Sequence, residues 1–168
     1  MKKWTVLLVL LCIAVLAGCS RTPANGDTLP TEWTPEPPAP RDLTALLTAA
    51  EVSEAVGVPM EDGAMEEGGE ILAFHSADYG VQVSLLLEEE PAGGAEAYLD
   101  AVLSGYGEGS LISAPNLGTA AFWCADTGEL LVRDETHVLS VNLMAADMSG
   151  ERMLLAARQL AAKVLERL

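Results

Sequence analysis

The sequence predicts one α+β domain over residues 42–168. Two observations carry this prediction. Strand-like segments follow one another across short polar connections, which forces antiparallel pairing, and helix-like segments stand before, between and after the strands. The order α-β-β-α-β-β-β-α therefore predicts an antiparallel sheet of about five strands packed with three helices.

The first helix has a complete start signal and a stop signal. Thr48 and Glu51 have the spacing of a capping box, in which each side chain bonds the backbone amide of the other residue. Gly57 supplies the left-handed residue at which many helices end. These residues predict a helix over about 49–56.

A hairpin is predicted after this helix, beyond a loop over 58–70 that is rich in Glu, Asp and Gly. Its strands, 71–76 and 81–88, flank a turn at 77–80. Apolar residues alternate with mostly polar ones along the second strand, which is the period of a sheet with one buried face.

The rest of the chain predicts a second helix, three more strands and a final helix. Short polar turns separate the three strands, and Ser149 caps the last helix. The predicted elements are a helix at about 94–104, strands at 119–125, 130–133 and 138–144, and a helix at about 150–167.

The first 18 residues have the layout of a lipoprotein signal peptide. Lys2 and Lys3 precede an unbroken apolar run, 6–17, which is shorter than the roughly 20 apolar residues of a membrane span. The run ends in Leu16-Ala17-Gly18-Cys19, which resembles the lipobox of bacterial lipoproteins. The resemblance implies that Cys19 carries a lipid and becomes the first residue of the mature protein. An uncleaved anchor helix with an incidental cysteine is the alternative.

The lipidated cysteine and a proline-rich linker are expected to occupy residues 19–41. Six prolines lie between Ser20 and Arg41 among Thr, Asn, Gly and Glu. Proline removes backbone donors and favours extended conformations, so we expect this stretch to be a semi-rigid stalk. The protein would then be anchored in the cell membrane through Cys19, with its domain on the extracytoplasmic side.

The chain is strongly acidic. Its formal net charge is -16, which becomes -18 when Lys2 and Lys3 leave with the signal peptide. No lysine or arginine lies between Arg41 and Arg133, an interval with seventeen acidic residues. Nucleic acid is excluded as a partner, because its binding depends on basic residues. The acidic surface either keeps an exported domain soluble or attracts cations and basic peptides.

The cysteines leave no pair for an intramolecular disulfide, because Cys12 lies in the signal peptide and Cys19 is the expected lipid site. Cys124 could pair with His75 or His137 in a thiol hydrolase. The predicted strand instead places Cys124 on an apolar face, which favours a buried thiol.

Motif searches point away from catalysis. The chain has no zinc-binding His-Glu-x-x-His, no nucleophile elbow and no Walker loop. The acidic runs 61–70 and 88–90 lack the alternating spacing of a calcium loop and favour solvated surface. We therefore predict no catalytic residues, no cofactor and no metal site.

Two stretches of the domain resemble a known group of proteins. Leu46–Gly57, followed much later by Asn116–Trp123 and two hairpin strands, is similar to the small exported domains of actinobacterial and clostridial lipoproteins. Those domains are similar in architecture to the PsbP-like sandwich, and the resemblance covers most of residues 42–168. It implies a binding or accessory domain of the cell envelope and supplies no catalytic residues.

The sequence thus predicts a non-catalytic, lipid-anchored envelope protein, which we expect to be a monomer that binds an envelope protein or a small ligand. A purely structural envelope spacer is one alternative, and it predicts no concave apolar pocket. The hydrolase with Cys124 and a histidine is the other, and it predicts a cleft where thiol, imidazole and carboxylate converge.

Overall fold

The computed structural model describes residues 41–168, apart from residue 108 and the side chain of residue 67. The predicted signal peptide, Cys19 and the linker up to residue 40 lie outside the described residues. Within them the protein is α+β, with three α-helices and a seven-stranded antiparallel sheet. None of the described helices has the length and apolar character needed to cross a bilayer.

The helices are α1, Ala49–Val56; α2, Ala95–Leu103; and α3, Gly150–Leu165. The strands are β1, Ala64–Glu66; β2, Ile71–His75; β3, Val81–Glu89; β4, Leu111–Ser113; β5, Ala120–Cys124; β6, Glu129–Arg133; and β7, His137–Ala145. They lie in the order β1-β2-β3-β7-β6-β5-β4.

The strand count corrects the prediction of five strands. The two additional strands, β1 and β4, have three residues each and form the two edges of the sheet. Three residues are too few to show a period of two, so neither strand left a signal in the sequence. The predicted loop over 58–70 accordingly contains β1 and a short 3-10 turn, Glu67–Gly69.

The caps predicted for the helices are confirmed. Thr48 Oγ1 accepts from the Glu51 amide at 3.3 Å, and Glu51 Oε2 accepts from the Thr48 amide at 3.0 Å. Gly57 has a φ of 79°, and its amide bonds back to Ser53. Ser149 caps α3 through its hydroxyl oxygen.

The helices cover both faces of the sheet. Helices α1 and α3 pack over the main core, whose largest buried side chains include Phe74, Leu85 and Trp123. Helix α2 packs on the opposite face through Ala95 and Leu99, where a smaller cluster joins Leu131 and Val138 to partly buried neighbours. The alternation of buried residues along β6, where Leu130 and Leu131 belong to different clusters, places a core on each side.

The start of the described chain is held at one end of the sheet. Arg41 Nη1 bonds Glu89 at the end of β3, at 2.9 Å, and Arg41 Nη2 donates to the Arg167 carbonyl at 3.3 Å. Arg167 in turn binds Glu51 and the Leu46 carbonyl, which connects the end of the chain to α1. Arg41 therefore lies at the Glu89 end of β3.

Candidate ligand pocket

A concave pocket opens at the end of the sheet where β3 begins and β7 ends. Its volume is about 530 Å³, within the range of small-molecule sites. Four segments that are distant in the sequence form it: the end of α1, the turn between β2 and β3, the end of β7 and the start of α3. The sequence could not indicate this pocket, because no one of these segments has a binding motif.

The walls of the pocket are mainly apolar. Val81 and Ala145 face each other as a register pair of β3 and β7, and Val56 is the last residue of α1. The apolar side chains that line the pocket are Val56, Val58, Pro59, Ala77, Val81, Ala145 and Met148. Such a surface releases water when an apolar ligand covers it, and this release favours binding.

The tip of the β2–β3 hairpin forms the rim. Ser76 is buried, and its hydroxyl donates to Asp78 Oδ1 at 2.7 Å while it accepts from the Val81 amide at 3.0 Å. Asp78 Oδ1 also accepts from the Gly80 amide at 3.0 Å. The Ser76 hydroxyl, and then the Gly80 amide, lower the pKa of Asp78, so this carboxylate stays ionised and holds the turn in shape.

The pocket contains one cationic side chain, Arg152, on the first turn of α3. Its Nη2 donates, over 3.4 Å, to the carbonyl of Val56, the last residue of α1. A Cβ at Gly57 would lie 2.6 Å from this nitrogen, so a larger residue there would displace the guanidinium from this position. The sequence analysis placed Arg152 within the last helix and did not single it out.

The pocket and the start of the described domain lie at opposite ends of β3. Val81 lines the pocket, whereas Glu89, eight residues further along the strand, binds Arg41. An antiparallel strand advances about 3.4 Å per residue, which separates the two ends by about 27 Å. The pocket is therefore remote from the point where residue 41 joins the fold.

Cys124 lies at the end of β5 and is only 2% exposed, which confirms the prediction of a buried thiol. Burial raises the pKa of this thiol, but hydrogen bonds from Thr127, the Asp126 amide and Ser110 outweigh burial, and the net effect lowers it. The thiol is therefore polarised yet closed to solvent.

Cys124 has a carboxylate beside it but no histidine. Its cross-strand partner is Glu129, whose two oxygens accept hydrogen bonds from Ser140 Oγ, at 2.6 Å, and from the Tyr106 hydroxyl. Burial, and then this bond to Glu129, raise the pKa of Tyr106, so the hydroxyl remains a donor. Both oxygens of Glu129 are thus engaged: the bond from Tyr106 joins the segment after α2 to the sheet, and the bond from Ser140 joins β6 to β7.

The two histidines lie elsewhere. His75 is on β2, four strands from Cys124 in the sheet order, which corresponds to about 19 Å. It stacks on Tyr79, with ring centroids 4.2 Å apart. His137, predicted as a turn residue, is instead the first residue of β7, where it pairs with Glu89. A thiol hydrolase would need a cleft in which a thiol, an imidazole and a carboxylate meet. Cys124, His75 and His137 do not form such a cleft.

The acidic runs do not converge either. Among the residues that the structure describes, no three His, Cys, Asp or Glu side chains come together as they would to hold a metal ion. A second cavity of about 550 Å³ lies between α1 and α3. Four of its six lining residues are charged or polar, namely Glu54, Gln159, Lys163 and Glu166. It offers much less apolar wall than the pocket beside Arg152.

Comparison of the chain with protein-family models, with curated proteins and with solved structures gives no match.

Proposed function

We propose that this protein is a lipid-anchored, extracytoplasmic binding module of the cell envelope, without catalytic activity of its own. The pocket beside Arg152 is its ligand site. The observation that carries this proposal is the combination of an apolar cavity of about 530 Å³ with one positioned guanidinium. A few polar groups on apolar walls are typical of small-molecule sites.

The pocket favours binding over a structural spacer. A spacer needs only a solvated surface and has no use for a concave apolar cavity. Here four segments of the chain enclose such a cavity, which a spacer does not explain.

The position of the pocket also supports an anchored receptor. A lipid on Cys19 and a proline-rich stalk would connect the membrane to Arg41, at the Glu89 end of β3. The pocket opens at the other end of that strand, about 27 Å away. Residue 41 and the pocket thus lie at opposite ends of β3.

Two features support a role without catalysis. Cys124 is enclosed by the sheet and by its hydrogen-bond donors, and neither histidine lies beside it. The pocket itself has a guanidinium and carboxylates but neither the thiol nor an imidazole on its walls. This composition suits recognition better than nucleophilic attack.

Photo-crosslinking in intact cells tests the binding role. We would replace Ala77, on the pocket rim, with a benzophenone amino acid, and use exposed Ala101 on α2 as the matched control. We expect a product of discrete mass from position 77 and none from position 101. The same pattern from both positions would contradict a pocket-specific ligand, and a product with twice the mass of the chain would contradict the expected monomer.

Fatty-acid labelling tests the anchor separately. Cys19→Ala is expected to abolish incorporation of labelled palmitate, whereas Cys124→Ala, the matched loss of a thiol, leaves it unchanged. Undiminished labelling of the Cys19 variant would overturn the proposed anchor and, with it, the proposed compartment.

A further inference from the structure

We infer that the ligand of this pocket is an apolar molecule with a terminal carboxylate, which pairs with the guanidinium of Arg152. This inference rests on the proposed function, because it names the ligand class of the same site. The apolar end would cover the Val81 and Ala145 wall, and the carboxylate would lie at the start of α3.

The first argument is that Arg152, in a strongly acidic protein, has no ion pair among the described side chains although it lines the pocket. Among residues 41–168, ion pairs hold four of the six lysines and arginines: Arg41, Arg133, Lys163 and Arg167. Among the described side chains, no carboxylate oxygen lies within 4.0 Å of Arg152, although Asp78 and Asp147 line the same pocket. Its guanidinium therefore keeps the capacity to bind a carboxylate in the bidentate manner typical of arginine.

The second argument is that the guanidinium lies at the pocket wall, on an exposed side chain that a ligand can reach. Its Nη2 bonds the Val56 carbonyl, and the missing side chain of Gly57 provides the space beside it. One bond to a carbonyl satisfies one of the five N–H donors of an arginine. Arg152 and Val56 both line the pocket, so the remaining donors of the guanidinium lie at the pocket wall.

The third argument is the electric field at the start of α3, beside Arg152. Helix α3 has 16 residues and begins at the pocket, so the positive end of its dipole adds to the charge of Arg152. Asp78 and Asp147 also line the pocket and oppose an anion, so binding depends on direct contact between the ligand carboxylate and the guanidinium of Arg152. Glu151, the acidic residue in the first turn of α3, does not line the pocket.

Three photo-reactive probes with one alkyl-diazirine tail and different heads test the ligand class on the full chain in native membranes. The heads are a carboxylate, an alcohol and a trimethylammonium. Peptide mapping identifies labelling of the pocket segments 56–60, 77–81 and 145–152. We expect the carboxylate probe to label these segments most strongly, and an excess of unlabelled decanoate to compete with it.

Arg152→Gln separates the guanidinium from the apolar walls. We expect it to weaken carboxylate labelling by about threefold to tenfold, as the loss of one charged hydrogen-bonding group at a solvent-accessible site does, with alcohol labelling unchanged. Arg158→Gln is the matched control on α3, because Arg158 donates to the Pro115 carbonyl at 2.7 Å and lies outside the pocket. It is expected to leave all three probes unaffected.

Each outcome decides between the two proposals. Equal labelling by the three heads, stronger labelling by the ammonium, or no effect of Arg152→Gln would overturn the carboxylate ligand while leaving a binding pocket in place. A lack of pocket labelling by every probe would overturn the carboxylate ligand. The crosslinking experiment at position 77 would then test the binding function independently.

Discussion

Glu51 stabilises the fold through its charge, and Glu51→Gln is expected to remove that contribution at neutral pH. Its carboxylate closes the capping box of α1 and also binds Arg167, with Lys163 Nζ 3.8 Å away. Glutamine at this position still completes a capping box. The substitution therefore removes the ion pair between α1 and the end of the chain while it keeps the helix cap.

The size of the effect follows from the pKa of Glu51. The hydrogen bond from Arg167 has the largest effect on this pKa and lowers it. Burial raises the pKa, and the hydrogen bonds with Thr48 lower it further. Together these effects lower the pKa from 4.5 to about 2. Each pKa unit corresponds to about 1.4 kcal/mol, so complete linkage would give about 3 kcal/mol. Solvent reaches the pair, with side-chain exposures of 19% for Glu51 and 37% for Arg167. Screening reduces the expected loss to about 1–2 kcal/mol.

The same pKa sets the pH dependence. A lowered pKa in the folded state stabilises the protein above the unfolded pKa of 4.5 and ceases to do so as the pH falls through the folded value of about 2. The difference in unfolding free energy between the native chain and Glu51→Gln should therefore be full above about pH 5 and shrink towards about pH 2.

Urea unfolding followed by far-UV circular dichroism measures this difference across the pH range. Glu54→Gln is the matched control, because Glu54 is exposed on the same helix and forms no ion pair among the described side chains. The reasoning would be refuted if Glu51→Gln and Glu54→Gln lost the same unfolding free energy at neutral pH. It would also be refuted if the loss for Glu51→Gln stayed constant down to about pH 2.

Two further predictions concern the β5–β6 turn and the thiol before it. Gly128→Ala should lower the unfolding free energy by about 2–4 kcal/mol in urea titrations, because its φ is 67° and a Cβ would overlap the Leu143 carbonyl oxygen. Exposed Gly107→Ala, which meets nothing within 4 Å, should stay close to the native value, and equal stability of the two variants would count against this turn geometry. Iodoacetamide should modify Cys124, 2% exposed, only after unfolding, as peptide mass spectrometry would show. Rapid modification of the native protein would instead favour the thiol hydrolase.

The sequence predicted the elements whose signals are local. The capping pair Thr48 and Glu51, with Gly57 as the stop, located α1 at its observed bounds. Alternation along β3 identified its buried face, because successive side chains of a strand point to opposite sides. The edge strands β1 and β4 were missed because three residues take their conformation from the neighbour with which they pair.

Local sequence signals could not predict the candidate pocket. Arg152 looks like any exposed helix residue until α3 packs beside α1 and places its guanidinium at the Val56 carbonyl. The contact joins residues 96 positions apart in the chain. The prediction that Cys124 is buried succeeded, although its neighbours are polar: it lies opposite Glu129 and close to Thr127 and Ser110.

The sequence by itself determined the class of the fold, the caps of its helices, its acidic character and the expectation of a lipid on Cys19, because each of these depends on residues that are adjacent or regularly spaced. Only the tertiary structure decided that helices cover both faces of the sheet, that two short strands complete its edges, and that an apolar pocket with one guanidinium lies at the end remote from Arg41. A pocket is the space left between packed elements, and that space depends on contacts between segments that the order of residues does not show.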